Sequence, residues 1–380
     1  MTSPSQTDML PDAPIGTLPT GTLPTGMLPT GMLPTGMLPT GMLPTGMLPT
    51  GMLPGRGVLH GLVGCLVGGA ALVVALASFG CTGQLDPPTL VKTPRILSII
   101  ADQPESVPGN DIEMGVIAFV PSAPDGTGIS YHWRVCDSLP RVLEAAQIPA
   151  DLPLPDTCRP LESTGPTAIV PGERTAALAA LITSLPSSGS FDASFLTRIL
   201  ETAGIPFQVE VDVVDASGTV LVTGIKTLAI TTRAEPLPPP TTNPPPVMFS
   251  LGDGMDTTHD VDVAFPEDLF DFRCVPTMGE VSLPARMEAV ITPVPGTEWT
   301  EEFPIFDYSG EIRIGRENEY YSFYATGGSI DTETTNPPNR ETHWTTPEDP
   351  GTVRLWVIVR DGHLGARGCW LDVTITAPSS

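Results

Sequence analysis

Ile129, Tyr131, Trp133 and Val135 alternate with Ser130, His132, Arg134 and Cys136. That period of two turns one face of a strand toward a core and the other toward water. The same patterning opens over Arg95–Ala101, continues through 111–120, and returns where Phe207, Val209, Val211 and Val213 alternate with Gln208, Glu210 and Asp212. Asp215, Ala216, Ser217 and Gly218 supply a turn into a partner strand that starts at Thr219 and runs to Ile230. Further along, Met287, Ala289 and Ile291 form one apolar face and Ile312 with Ile314 another. Tyr321, Phe323 and Ala325 follow, then Val353, Leu355, Val357 and Val359. This last run turns at Asp361 and Gly362 and returns through Leu371, Val373 and Ile375. Residues 175–185 and 192–203 read instead as helices. In the second, Phe195, Leu196, Ile199 and Leu200 share a face, with Asp192 as its cap and Gly204 as its stop.

The longest apolar run, residues 58–81, holds no charged side chain, and only His60 and Ser78 interrupt it. A stretch of that length is what a helix needs to cross the roughly 30 Å hydrocarbon core of a bilayer. Arg56 just ahead of it and small residues near its end suit a secretory signal. Ser78, Phe79, Gly80 and Cys81 resemble the lipobox of bacterial lipoproteins, in which cleavage exposes a cysteine that receives lipid. An uncleaved membrane anchor is a second fate, and cleavage before Cys65 a third. Leu62, Val63, Gly64 and Cys65 spell the lipobox better, yet cutting there strands the greasy run from Leu66 to Phe79 on the mature chain. Position therefore favours Cys81 as the lipidated residue.

Ahead of this segment the chain repeats a five-residue unit, GTLPT and then GMLPT, with Met27, Met32, Met37, Met42, Met47 and Met52 in register. A proline in every repeat forbids a continuous helix or a central strand, so the leader is expected to be disordered or polyproline-like. Translation from Met52 in place of Met1 gives a signal segment of ordinary proportions. Residues 235–246, EPLPPPTTNPPP, form a second proline-rich interruption that reads as a semi-rigid spacer.

These shifts divide the chain. Residues 1–55 are the disordered leader, 56–81 the signal or transmembrane segment and 82–94 a tether holding the next domain off the membrane. Residues 95–234 form a first β domain with a helical insertion at about 173–204. Residues 235–246 are the linker and 247–376 the second β domain. The expected fold class is mainly β, two antiparallel β-sandwiches.

Charge and cysteines narrow the setting. Across 380 residues, 43 acidic side chains stand against 18 basic ones, a net charge of −25. Only Asp8, Asp12 and Arg56 precede Cys81, so nearly all of that charge belongs to the β region. Nucleic acid and anionic lipid surfaces need a basic face and are excluded as partners. Outside the apolar segment lie Cys136, Cys158, Cys274 and Cys369, an even set that allows three pairings. Cys136 with Cys158 and Cys274 with Cys369 is preferred, because each pair then stays on its own side of the linker. Without CxxC spacing, disulfides in an oxidising compartment are a better reading than zinc.

The stretches ISYHWRVC, YSFYATGGSIDTETT, ETHWTTP and VRLWVIVRDGHLGARGCW resemble the Ig-like and PKD-like domains of exported bacterial proteins. With a lipobox and tether ahead of them, the arrangement is similar to bacterial cell-surface lipoproteins. The resemblance implies a β-sandwich fold and an address, exported and membrane-anchored, at the outer membrane, the cell surface or facing the periplasm. It attaches no activity. The helical insertion departs from a minimal Ig-like domain.

Catalytic motifs are absent: none of His60, His132, His259, His343 and His363 sits in HExxH, and there is no GxSxG, P-loop or GxGxxG. The chain is read as no enzyme and as needing no cofactor. Two binding features stand out. Asp253, Asp256, Asp260 and Asp262 offer hard oxygen ligands of the kind Ca²⁺ takes, in a Gly-containing stretch that does not match an EF-hand. Trp356 and Tyr324 sit at the parity opposite the aliphatic faces, where aromatics furnish a glycan-stacking platform. The expected function is non-enzymatic display of two β-sandwich domains for adhesion, scaffolding or assembly with other envelope proteins, the membrane being reached through a lipid or an apolar anchor. A carbohydrate-binding surface module and an exported hydrolase are the alternatives.

Overall fold

A computed structural model describes residues 87–136, 158–163, 165–184, 193–253, 260–294, 299–306 and 311–378. The repeat leader, the apolar run with Cys65 and Cys81, and the start of the tether lie outside the described residues. Among those that are described, no helix is long and apolar enough to cross a membrane. Residues from Cys81 to Ser380 form one compact unit. Among the described residues its architecture is mainly β, with several sheets and two short helices.

The N-terminal half contains β1 (Arg95–Ala101), β2 (Glu105–Ser106), β3 (Ile112–Phe119), β4 (Ser130–Cys136), β5 (Cys158–Pro160) and β6 (Thr167–Val170). Helices α1 (Gly172–Ser184) and α2 (Ala193–Glu201) follow, then β7 (Ile205–Val214) and β8 (Val220–Ile230). One sheet runs β1-β3-β6 and the other β2-β8-β7-β4-β5. Their inner faces meet in a core built on Ile112, Met114, Trp133, Val209, Val211 and Leu228. The helices are part of this core, since Leu178, Ile182, Leu196 and Leu200 are buried in it. At the end of α2, Gly204 takes φ +82°, a left-handed turn that stops the helix as its sequence position predicts.

The C-terminal half opens with β9 (Met248–Gly252), β10 (Val261–Ala264), β11 (Val275–Pro276), β12 (Val281–Pro284) and β13 (Glu288–Val294). The hairpin β14 (Glu302–Phe306) and β15 (Ile312–Arg316) comes next. Then come β16 (Tyr320–Ala325), β17 (Ser329–Ile330), β18 (Thr334–Thr335), β19 (Thr342–Thr345), β20 (Gly351–Arg360) and β21 (Ala366–Thr376). Sheets β11-β10-β9-β13-β19-β17 and β12-β21-β20-β16-β18 enclose a second core around Phe249, Tyr321, Phe323, Trp344 and Leu355.

The two halves share a wiring. In each, an early strand pairs antiparallel in one sheet, β1 with β3 and β9 with β13. A short piece then crosses to the other sheet and lies parallel to the last strand, β2 beside β8 and β12 beside β21. These parallel pairs depart from the wholly antiparallel expectation.

Both expected disulfides are present. Cys136–Cys158 joins paired positions of β4 and β5, and Cys274–Cys369 ties the segment before β11 to β21. Three other expectations need correction. Ile312 and Ile314 do not face a core: they are 39% and 50% exposed on the two-stranded β14-β15 ribbon, which is too narrow to cover them. The end of the tether does not stand free, because Val91 is buried and Thr89 and Val91 exchange backbone hydrogen bonds with Ala325 of β16. Nor do residues 235–246 hold the halves apart. Asn243 donates to the carbonyls of Ala101 and Asp102 and accepts from the Ala366 amide, so the proline-rich segment is a strap laid along both halves.

Candidate functional site

Under the strap the halves meet at an apolar seam. Leu97, Ile100, Ile117 and Phe119 from β1 and β3 pack against Tyr324, Trp356 and Ile358 from β16 and β20. The Phe119 and Trp356 rings meet edge to face at 5.0 Å. Tyr324 and Trp356, 7% and 1% exposed, are thus no glycan-stacking platform. The outer face their parity assigns them is the face the other half covers.

Beside the seam lies a cleft of about 520 Å³, lined by residues of β1 and β8 and by the β20-β21 turn, including Lys226, Asp361 and His363. Its floor is polar. Glu105 of β2 accepts from Arg233 Nη2 and from the Thr241 amide (2.7 Å), while its other oxygen lies 3.1 Å from His363 Nε2. Arg233, its side chain wholly buried, also donates to the carbonyls of Thr202 and Pro239. His363 stacks on Phe303 at 3.9 Å between ring centres. On the far side, Thr242 donates through its amide and hydroxyl to Glu301, and the Glu301 amide donates to Glu317 Oε2 at 3.0 Å. The Asn318 amide donates to the Asp361 carbonyl at 2.8 Å, which brings Glu317 beside the turn.

Burial acts on Glu105, Asp361, Glu317 and Lys226, and their neighbours decide the outcome. Burial works to raise the Glu105 carboxyl, but the His363 and Thr241 hydrogen bonds and the Arg233 charge together hold it below the ordinary carboxylate range. Burial pushes Asp361 up to about 6 against the pull of the His363 amide and Lys226. It pushes Glu317 up to about 8, with the Asp361 charge adding to the rise. The same burial pulls the Lys226 ammonium, which donates to the Leu364 carbonyl, down to about 8. These groups are fastened to one another and to backbone carbonyls and amides. Chemically, the arrangement holds two surfaces in register and offers oxygen ligands.

The other sequence candidates fall elsewhere. Asp253, Asp260 and Asp262 border a loop, and Asp256 lies outside the described residues. The three that are described form no such cluster; the one group of three or more metal-ligating side chains drawn together among the described residues is Cys136, Cys158 and Glu210. Its sulfurs are spent in a disulfide. Sequence reasoning missed Glu105, Arg233, Lys226 and Glu317, and noted of His363 only that it sits in no catalytic motif. Nothing local marks Glu105, which lies in a two-residue strand.

No protein-family model matches the chain. No curated protein sequence matches it. Among solved structures it is similar to the fibronectin(III)-like modules of Clostridium thermocellum CbhA (12% identity, 75% of this chain and 95% of that one, TM-score 0.20). It is similar also to the D00-D0 domain of intimin (10% identity, 75% and 98%, TM-score 0.18). A third likeness is to the N-terminal Ig1-2 module of the Drosophila receptor protein tyrosine phosphatase DLAR (11% identity, 76% and 100%, TM-score 0.19). Likenesses this slight carry no weight for function, which rests on the geometry above.

Proposed function

We propose that this chain is a non-enzymatic exported lipoprotein that displays two immunoglobulin-like sandwiches as one unit for adhesion, scaffolding or envelope assembly. The observation that carries the reading is the shared wiring of the two halves, each with its early strand divided between two sheets, an immunoglobulin-like arrangement. Such domains usually act through their surfaces, although a fold does not fix a function. That Glu105, Arg233 and Lys226 are held by hydrogen bonds to one another or to the backbone supports a non-catalytic role. The acidic balance of the β region suits a solvated, displayed surface.

The address is tested by intact mass and palmitate labelling of the full-length protein and of Cys81→Ser. Label on the wild type, lost in a variant that stays at precursor mass, is the expected result. Equal, unprocessed masses for both establish a permanent anchor in place of lipidation, and label persisting in the variant moves the lipid to Cys65. Protease added to intact cells, or to spheroplasts if the chain faces the periplasm, is expected to digest it. Protection in both preparations overturns display.

A further inference from the structure

Two carboxylate oxygens at and behind the β20-β21 turn have no hydrogen-bond partner although each is enclosed: Asp361 Oδ2 and Glu317 Oε1. Their residues are 0% and 4% exposed. A buried acceptor left in this state costs free energy, and a buried charge costs more unless a cation or proton meets it. The charged side chains that bear most on Glu317 are carboxylates, Asp361, Glu301 and Glu105. Glu105 has Arg233, and Lys226 acts on Asp361 from the cleft side, with its ammonium also held by the Leu364 carbonyl. Arg360 is committed to Ser322 Oγ and the Leu97 carbonyl.

The absence of a side chain at Gly365 lets the Asp361 carboxylate lie close against the backbone. A Cβ on Gly365 would collide with Asp361 Oδ2 and approach the Thr242 carbonyl oxygen at 2.9 Å, so that oxygen of the strap and the orphaned carboxylate oxygen share one side of the glycine. Donors here are carboxylate and carbonyl oxygens, the His363 ring being turned to Glu105 and Phe303, and such oxygens suit a hard divalent cation.

We infer that the seam holds a calcium-class divalent cation, with Glu317 Oε1 and Asp361 Oδ2 as its anionic ligands and the Thr242 carbonyl oxygen of the strap beside them. The strap, the residue that follows β15 and the β20-β21 turn then converge on one ion, which fastens the proline-rich segment to the C-terminal half. This site is separate from the loop acids Asp253, Asp260 and Asp262, and it does not depend on the display reading.

The test uses the full-length chain in detergent, stripped with EDTA and titrated with CaCl₂ by calorimetry and thermal unfolding near pH 7.5. Saturable binding is expected, with a dissociation constant of roughly 10⁻⁴–10⁻³ M, the range of extracellular modules. The midpoint of unfolding should rise with ion concentration, as it does for any ligand that binds only the folded state. Glu317→Gln and Asp361→Asn should each weaken binding at least about tenfold, while Asp260→Asn leaves it unchanged. Removing one acid from among neighbouring carboxylates relieves repulsion, so metal-free Glu317→Gln should unfold no lower than the wild type, which guards against a folding artefact. No saturable heat and no midpoint shift on the wild type, up to about ten times the weaker of those constants, overturns the inference. Binding that survives both seam variants but disappears in Asp260→Asn overturns it as well and assigns the ion to the loop.

Discussion

Arg233→Met will destabilise the protein by about 3–5 kcal/mol at neutral pH, the cost typical of removing one partner from a buried ion pair. The guanidinium is fully enclosed and is shared among Glu105 and the carbonyls of Thr202 and Pro239. Its loss leaves a buried carboxylate facing an apolar side chain and two carbonyls without their donor. Most of the cost belongs to the stranded charge rather than to the lost attraction, so Arg233→Met with Glu105→Leu should recover the greater part of it. The pH dependence separates the two contributions. Because Glu105 is held below its ordinary value of 4.5, the folded state binds that proton more weakly than the unfolded chain. The pair's stabilisation is therefore complete above that value and is lost as pH falls through the lower folded value. The gap between wild type and Arg233→Met should narrow in acid for the same reason. Urea denaturation at neutral pH and near pH 3.5 measures both; a single variant as costly in acid as at neutrality, or a double variant as unstable as the single, contradicts the account.

Trp356→Ala will cost about 3–5 kcal/mol, as large-to-small changes at enclosed aromatics do. The consequence differs from that of an ordinary core cavity. Trp356 projects from β20 into the seam, away from the core around Leu355 and Val357, and its edge-to-face partner Phe119 belongs to the other half. Calorimetry should show one unfolding transition in the wild type and two in the variant, as each half keeps its own core while losing the contact that couples them. Trp344→Ala removes a tryptophan of the C-terminal core itself, and should lower that half's transition without splitting the pair. A Trp356→Ala protein that still melts in one step refutes the coupling.

How far the sequence speaks depends on the range of the contact. Alternation located β4, β7, β16, β20 and β21, because burial of one strand face is a local pattern. Helix α2 was legible from its apolar stripe and its terminal glycine, and the disulfides from their positions relative to the linker. The seam was written in the sequence as well, but in a form that alternation overlooks. Ile99 with Ile100, and the unbroken run from Leu355 to Val359, are apolar on successive positions, as strands covered on both faces must be. Taken one parity at a time, that run yields a core face and two stray aromatics, which invited a glycan platform. The polar floor was illegible for a different reason. Glu105, Arg233, Glu317 and His363 are far apart in sequence and meet only when the strap is docked, so no spacing records them. Ile312 and Ile314 show the converse: a perfect alternating pair on a ribbon that finds no layer to cover it.

The divided early strand has a consequence for how the chain is made. Glu105 finds its neighbour Ala229 only after the whole N-terminal half has been synthesised, and Val281 waits in the same way for Val373. Pairings that span so much sequence are slow to form, since a long loop must close before any contact rewards it. Each sandwich therefore completes this parallel pairing late, after its final strand has emerged.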